Sequence, residues 1–289
     1  MKIGIAGTGR MGAAIAARLS SVGHEMMVWN RSADKARATG FKVAETPQAL
    51  AGACEAVISM LTDAAAVQSV YGQMLSGNVN GKLFIEMSTV RPEVSRRVGS
   101  LAKQKQAAFV ECPVGGTIGP AKEGKLFGFA GAEKADFERA RPLLEQMCRR
   151  VEHLGPAGSG ASMKLAINLP LLVYWQALGE SLSLIQNLGL PPERVMDILA
   201  DTSGAPRMLA NRAQAIAAAL GGKEGAVSVN IDTLKKDLSE IVEESKLLGW
   251  SAPATEGALR GFAAASAAGL GGKDCVQMPV FWSAKPKKL

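Results

Sequence analysis

One glycine-rich turn near the start of the chain constrains the fold more than any other feature. The apolar segment Lys2 to Ala6 predicts a strand, Gly7-Thr8-Gly9-Arg10-Met11-Gly12 follows at once, and Ala13 to Leu19 predicts a helix. In this G-x-G-x-x-G pattern the first glycine permits a tight turn, the second admits a pyrophosphate, and the third lets helix and strand pack closely. Because a helix N-terminus also favours phosphate, the segment predicts dinucleotide binding.

The end of the second predicted strand favours NADP(H) over NAD(H). Met26 to Trp29 predicts this strand, and Asn30, Arg31 and Ser32 follow it where the adenosine ribose is read. An NAD site usually has Asp or Glu there, which accepts hydrogen bonds from the ribose hydroxyls. Asn30 carries no charge that would repel a 2′-phosphate, and the Arg31 guanidinium can pair with one. The alternative is an arginine in a surface loop with no ligand.

Strands and helices then alternate along the chain. Thr46-Pro47, Asp63 and Pro92 mark predicted helix starts, because Thr and Asp cap helices and Pro fits the first helical position. The alternation predicts a mostly parallel sheet with right-handed crossovers, in which ligands bind beyond the carboxyl ends of the strands. The further predicted strands are Phe41–Ala44, Ala56–Met60, Leu83–Glu86, Ala108–Val110, Lys125–Ala130 and Arg150–Leu154.

Four loops would share that edge of the sheet and line one cofactor. Each follows a predicted strand directly, so its residues would lie at the carboxyl end of that strand. The cofactor-binding positions predicted in these loops are Gly7 to Gly12, Asn30 to Ser32, Met60, Leu61, Thr62 and Thr89.

A glycine-rich segment from Glu111 to Gly124 follows the strand at Ala108–Val110. Its backbone N–H groups are suited to hold a carboxylate, which favours a binding loop. The alternative is a plain link to the strand at Lys125–Ala130.

The segment Gly155 to Gly160 is the predicted boundary between two domains, 1–160 and 161–289. Beyond it the pattern predicts helices only. We therefore expect an α/β protein, with an N-terminal Rossmann domain that contains a mostly parallel sheet. An all-α C-terminal domain follows, joined by a long helix. The predicted helices are Ala161–Leu188, Pro192–Leu199, Pro206–Leu220, Ile231–Leu248 and Pro253–Ala268.

Two polar pairs stand out in the helical half. Lys164 and Asn168 are four residues apart, so they lie on one face of the long helix. A lysine in a cleft can act as a general acid or base if burial lowers its pKa, and a solvated lysine is the alternative. Lys236-Asp237 lies in a helix whose apolar stripe includes Leu234 and Leu238. This pair would face either the cleft or solvent.

Composition excludes several classes of function. The net charge of +7 fits anionic ligands, but 5% aromatic residues and scattered cations argue against nucleic acid. The two histidines argue against a metal site, and the four separated cysteines predict reduced thiols of a cytoplasmic protein. The apolar run 169–175 is too short to span a membrane, and we expect a frayed basic tail at 285–288.

These motifs in this order resemble the β-hydroxyacid dehydrogenase family, which includes 3-hydroxyisobutyrate dehydrogenases and semialdehyde reductases. The resemblance covers nearly the whole chain. It depends on Gly7-x-Gly9-x-Met11-Gly12, the Met60-Leu61 loop, Ser88-Thr89, the Pro113 loop, Gly158-x-Gly160-x-x-x-Lys164-x-x-x-Asn168 and Lys236-Asp237.

The resemblance implies a role for each motif. Lys164 would be the catalytic acid or base, and Lys236 with Asp237 would join the cofactor-binding residues. The Pro113 loop, through Gly115, Gly116 and Thr117, would hold the substrate together with Asn168. The sequence departs from the family at Glu111, Gly115, Thr117, Thr62 and Leu169, where the family usually has Asp, Ser, Gly, Pro and Asn.

The sequence thus predicts an NADP(H)-dependent oxidoreductase that interconverts a small 3-hydroxy acid and its semialdehyde. Its partners would be a small carboxylate-bearing substrate and a second or further copies of the chain, as a homodimer or homotetramer. An imine or bulkier carbonyl reductase and a non-catalytic dinucleotide-binding protein are the alternatives. No metal, nucleic acid or membrane is expected.

Overall fold

The computed structural model describes residues 1–284, so the predicted basic tail lies outside the described residues. The chain divides into two compact units, Met1–Leu165 and Ala166–Leu289. The division falls inside the long helix rather than at its start.

The first unit contains a six-stranded sheet in which all neighbouring strands are parallel. Its strands are β1 (Lys2–Ala6), β2 (Glu25–Trp29), β3 (Lys42–Val43), β4 (Ala56–Ser59), β5 (Leu83–Glu86) and β6 (Ala108–Glu111). The order across the sheet is β3-β2-β1-β4-β5-β6, so the strand order reverses between β1 and β4. Such a reversal opens a crevice for ligands, and this arrangement confirms the predicted Rossmann fold.

Apolar side chains fill both faces of this sheet. All residues of β4, β5 and β6 are buried. Ile58 and Ile85 pack into the cluster on one face, and their chain neighbours Val57 and Phe84 pack into the cluster on the other. Burial on both faces explains why these strands are continuous apolar runs rather than alternating ones.

Helices cover both faces, and their starts follow the predicted capping chemistry. The Thr46 Oγ1 accepts from the Ala49 N–H at 3.0 Å, and the Asp63 Oδ1 accepts from the Ala66 N–H at 2.8 Å. The helices of this unit are α1 (Arg10–Ser21), α2 (Ala33–Arg37), α3 (Pro47–Ala53), α4 (Ala64–Met74), α5 (Pro92–Gln104), α6 (Ile118–Glu123) and α7 (Lys134–Met147).

A second, three-stranded sheet was not predicted. It consists of β7 (Val114–Gly115), β8 (Leu126–Ala130) and β9 (Cys148–His153), with β7 antiparallel and β9 parallel to β8. The segment expected as an open loop therefore contains β7 and α6. A two-residue strand has no periodicity of its own, and it forms because β8 offers backbone partners.

The described residues of the second unit form helices and no strand. Its helices are α8 (Ser159–Leu184), which begins in the first unit, α9 (Pro192–Ala200), α10 (Arg207–Leu220), α11 (Ile231–Leu247), α12 (Pro253–Ala265) and α13 (Gln277–Ser283). The sequence pattern missed α13 because it contains Pro279. This proline lies in the first turn, where no helical N–H bond is required. Within residues 1–284, no helix is both long enough and apolar enough to cross a membrane.

Gly160 is required where α8 starts against the second sheet. A Cβ at this position would lie 2.0 Å from the Phe129 carbonyl oxygen, which is backbone and cannot rotate away. We predict that Gly160→Ala lowers the free energy of unfolding by roughly 1–3 kcal/mol. Urea denaturation measures the change. Gly72→Ala in α4 is the control, because no atom lies within 4 Å of its Cβ. The control should be neutral or stabilising, and equal effects of the two variants would contradict the close approach.

Candidate functional site

The glycine turn leaves room for a ligand at one position and none at the other two. Gly7 has a φ of +100°, and a Cβ there would lie 2.3 Å from the Met60 carbonyl oxygen. A Cβ at Gly12 would lie 1.9 Å from the Gly7 oxygen, so turn and helix touch. No atom lies within 4 Å of a Cβ built at Gly9. Gly7 and Gly12 are therefore structural, and Gly9 borders open space.

The residues around Gly9 suit a diphosphate group. Gly9 is the N-cap residue of the twelve-residue helix α1, and as a glycine it has no side chain to cap the first N–H groups. The Thr8 side chain is buried, and its Oγ1 has no hydrogen-bond partner among the described residues. A buried hydroxyl without a partner next to the positive end of a helix is satisfied by an anionic ligand. The turn therefore fits the phosphates of a dinucleotide.

Asn30 shapes the neighbouring loop with its amide. Its Oδ1 accepts from the Thr8 N–H at 3.0 Å, and its Nδ2 donates to the Ser32 carbonyl oxygen at 3.0 Å. The side chain therefore ties the end of β2 to the glycine turn, a role that the sequence did not reveal. Arg31 and Ser32 are exposed, and within residues 1–284 the Arg31 side chain makes no hydrogen bond or ion pair. The guanidinium is thus available for a phosphate.

The loops after β4 and β5 are joined by a chain of hydrogen bonds. The Leu61 N–H donates to the Ser88 Oγ at 2.8 Å, and the Ser88 N–H donates to the Glu86 Oε1 at 2.7 Å. The Ser59 hydroxyl donates to the other oxygen of this carboxyl group, Oε2. Ser59, Glu86 and Ser88 are all buried, so this cluster is shielded from water. The sequence indicated Leu61 and Thr89 here but missed Glu86.

Burial raises the pKa of Glu86 from 4.5 to about 7. Hydrogen bonds from Ser59 and Ser88 oppose the rise, and the negative charge of Glu111 adds to it. Glu111 stands directly across from Glu86 in the parallel register of β5 and β6. Glu86 therefore changes its charge near neutral pH.

Glu111 caps the long helix that carries Lys164. Its Oε1 accepts from the N–H groups of Gly158 at 2.6 Å, Gly160 at 2.8 Å and Ala161 at 3.3 Å. Burial raises the pKa of Glu111, and these three N–H groups counteract the rise. The carboxyl end of β6 is thus bonded to the start of α8. The sequence offered Glu111 only as a departure from the family pattern.

Lys164 and Asn168 are one turn apart on α8, as predicted. Lys164 is half-buried, and Asn168 is 5% exposed. The Asn168 Nδ2 donates to the Asp237 Oδ2 on α11 at 3.1 Å. The Asp237 Oδ1 lies 2.7 Å from the Lys236 Nζ. The structure therefore brings together Asn168 and the Lys236-Asp237 pair inside the second unit, with Asp237 buried rather than facing solvent.

The segment after Pro113 is less open than the sequence suggested. Gly115 pairs with Phe127 of β8, so part of its backbone belongs to the second sheet. Gly116 has a φ of +127°, and Thr117 is the N-cap residue of α6. Gly116 and Thr117 are exposed.

The remaining predicted cofactor positions lie in loops at the carboxyl edge of the parallel sheet. Met60, Leu61 and Thr89 are half-buried and Thr62 is exposed. The four cysteines are unpaired and buried. Across the described part of the chain, no group of three His, Cys, Asp or Glu side chains could hold a metal ion.

Comparison with known proteins assigns the family. Residues 2–155 match the family model of the NAD binding domain of 6-phosphogluconate dehydrogenase. Residues 158–280 match the model described as NAD-binding of NADP-dependent 3-hydroxyisobutyrate dehydrogenase. The chain belongs to the β-hydroxyacid dehydrogenase family.

Individual relatives agree with this assignment. Glyoxylate/succinic semialdehyde reductase 1 of Arabidopsis thaliana is 36% identical over 69% of this chain and 71% of its own length. 2-(Hydroxymethyl)glutarate dehydrogenase of Eubacterium barkeri is 30% identical over 98% of this chain and 95% of its own. The solved structure of 3-hydroxyisobutyrate dehydrogenase from Mycobacterium tuberculosis with L-serine has a TM-score of 0.84, with 26% identity over 98% and 99% of the two chains. The protein is therefore an NAD(P)-dependent oxidoreductase that acts on CH–OH groups.

The titration of Glu86 predicts a pH-dependent stability. Its pKa is higher in the folded chain than the ordinary 4.5, so its proton stabilises the fold below about pH 4.5. This contribution, on the order of 3 kcal/mol, is lost as the pH rises through about 7. In Glu86→Gln the side chain stays neutral. The stability of the variant relative to wild type should therefore increase by that amount from acid to neutral pH.

Urea denaturation of both proteins at several pH values measures this difference. Glu93→Gln, an exposed change in α5, is the control and should follow wild type at every pH. A constant offset between Glu86→Gln and wild type would show that Glu86 does not titrate in this range.

Proposed function

We propose that this protein interconverts a small 3-hydroxy acid, similar to 3-hydroxyisobutyrate, and its semialdehyde, with NADP(H) as the cofactor. One observation carries the proposal. Lys164 and Asn168 stand one turn apart on a helix whose start is bonded to the carboxyl end of β6. Dinucleotide binding alone requires neither side chain, so their presence in this family favours an active enzyme.

The preference for NADP(H) is supported by the loop after β2. Position 30, where an NAD site usually has Asp or Glu, is an uncharged Asn whose amide bonds to the Thr8 N–H and the Ser32 carbonyl oxygen. Arg31 is exposed beside it and can form charge-assisted hydrogen bonds to a 2′-phosphate. The family model for the second half is also that of an NADP-dependent enzyme.

Several residues would hold the cofactor. The glycine turn with Thr8 binds the phosphates, and Asn30 to Ser32 bind the adenosine end. The nicotinamide end would extend across the switch point towards β4 and β5. The further proposed contacts are Met60, Leu61, Thr62, Thr89, Lys236 and Asp237.

Proton transfer is the proposed task of Lys164. When bound, the cofactor supplies a hydride in reduction and accepts one in oxidation. In reduction the Lys164 ammonium donates a proton to the substrate oxygen, which limits negative charge on that oxygen. In oxidation the neutral amine takes the proton from the hydroxyl. Asn168 orients the oxygen, and Asp237 fixes the Asn168 amide by accepting from its Nδ2.

The substrate carboxylate would be held by the segment after Pro113. Gly116 and Thr117 are exposed at the start of α6, and Gly115 precedes them at the end of β7. The Thr117 hydroxyl would replace the serine hydroxyl that the family usually provides at position 115. Backbone N–H groups in such a segment suit a carboxylate.

Domain roles follow from this arrangement. We propose residues 1–160 as the dinucleotide-binding domain and 161–289 as the substrate and oligomerisation domain. Several large apolar side chains of the second unit are exposed, which supports a homodimer or homotetramer. They include Leu184, Leu247, Leu248 and Trp250. A cytoplasmic location remains a prediction.

Removal of the lysine amine tests the mechanism. With the semialdehyde that wild type reduces, Lys164→Ala should lower kcat by about 10²–10⁴-fold, while the Kd for NADPH changes little. Steady-state kinetics and a fluorescence titration measure the two quantities. Lys103→Ala in α5 is the control and should match wild type. Turnover like that of wild type in Lys164→Ala would remove the residue from the mechanism.

Replacement of Arg31 tests the choice of cofactor. We expect Arg31→Ala to reduce the ratio of kcat/KM for NADPH to that for NADH by about tenfold, because a charge-assisted bond to the 2′-phosphate is lost. The value with NADH should stay near that of wild type. Arg37→Ala in α2, whose guanidinium pairs with Asp34, is the matched control. An unaltered ratio in Arg31→Ala would show that Arg31 does not bind the 2′-phosphate.

A further inference from the structure

Glu86 lies where the two loops proposed for the nicotinamide end meet. It is the last residue of β5, and its side chain is 1% exposed. Its Oε1 accepts from the Ser88 N–H in the loop after β5. Through the Ser88 Oγ, which accepts from the Leu61 N–H, it also reaches the loop after β4. One buried carboxyl group therefore fixes both loops.

The hydrogen bonds to this group favour its ionised form. The Ser59 hydroxyl donates to Oε2, and the Tyr71 hydroxyl lies 3.0 Å from the Ser59 Oγ. With Ser59 donating to Glu86, Tyr71 donates to Ser59. Hydrogen bonds to a charged acceptor are about twice as strong as those to a neutral one. Ionised Glu86 therefore holds Ser88, and with it Leu61, more firmly than protonated Glu86.

A proton would be taken up at Oε2 rather than Oε1. The Ser59 hydroxyl can turn away from Oε2, because the Ile85 carbonyl oxygen lies 3.4 Å from its Oγ. The protonated Oε2 then donates to the Ser59 Oγ. The backbone N–H of Ser88 cannot reverse in this way, so Oε1 stays an acceptor, but a weaker one. Protonation therefore loosens the loop contacts without breaking the cluster.

We propose that Glu86 is a positioning residue for the cofactor, and that its protonation state sets how tightly the two loops bind the nicotinamide end. The proposal depends on the NADP(H) binding proposed above. The titratable groups facing Glu86 are Glu111 on β6 and Tyr71 on α4. Because burial and Glu111 raise the pKa of Glu86 to about 7, the change falls near neutral pH.

The test is the Kd for NADPH, measured without substrate by fluorescence titration from about pH 6 to 8.5. The 2′-phosphate of NADPH also titrates near pH 6, so each variant is compared with wild type at the same pH. At each pH we take the ratio of the Kd of Glu86→Gln to the Kd of wild type. This ratio should rise about fivefold from the lower to the upper end of the pH range, because only wild type gains an ionised carboxylate. Glu93→Gln should reproduce the wild-type profile.

A second variant keeps the carboxyl group and shifts its titration. Ser59→Ala removes the donor to Oε2, so the midpoint of the wild-type step should move to higher pH by about one unit. If Glu86→Gln does not fold, the midpoint of the change in Kd with pH in Ser59→Ala is the test. A midpoint equal to that of wild type overturns the proposal.

The outcomes separate this inference from the proposed function. A folded Glu86→Gln with the wild-type pH profile overturns the positioning role and leaves the NADP(H)-dependent activity standing. Failure of wild type to bind NADPH at any pH overturns both.

Discussion

A single buried carboxylate, that of Glu111, connects the parallel sheet to the helix that carries the proposed proton donor. Its Oε1 accepts hydrogen bonds from the N–H groups of Gly158, Gly160 and Ala161. The first N–H groups of a helix have no partner within the helix, so this carboxylate supplies one. Gly160 permits this because a side chain there would collide with the Phe129 carbonyl. The position of Lys164 relative to the end of β6 therefore depends on one capping interaction and one close backbone contact.

Glu86 on the adjacent strand has a related task at the same edge of the sheet. The two carboxyl groups stand in register across β5 and β6, and burial raises the pKa of each. Each carboxyl group accepts several hydrogen bonds that an apolar residue could not accept. Glu111 organises the start of α8, and Glu86 organises the loops after β4 and β5. The helix that carries the proposed proton donor and the loops proposed to bind the cofactor are thus each held by one of two neighbouring buried acids.

Local chemistry made much of the fold predictable. The glycine turn, the caps at Thr46 and Asp63 and the continuous apolar strands are patterns within a few residues, and the structure confirms them. The second sheet escaped because β7 exists only by pairing with β8. The bond from Thr8 to Asn30 spans 22 residues, and those from α8 to Glu111 span 47 to 50. Contacts over such distances leave no pattern in the sequence. The motifs therefore indicated the residues expected to bind ligands, but not the residues that position them, such as Glu86 and Glu111.

We propose that this protein reduces a small semialdehyde with NADPH. The most direct test is NADPH oxidation by the purified wild-type protein with glyoxylate, succinic semialdehyde, methylmalonate semialdehyde and tartronate semialdehyde, with NADH in parallel. We predict turnover of methylmalonate semialdehyde or tartronate semialdehyde, whose reduction gives 3-hydroxy acids, and faster turnover with NADPH than with NADH. If none of the four aldehydes is reduced while NADPH still binds, the proposed activity is contradicted. That result would favour an imine or bulkier carbonyl substrate, or a dinucleotide-binding protein without catalysis.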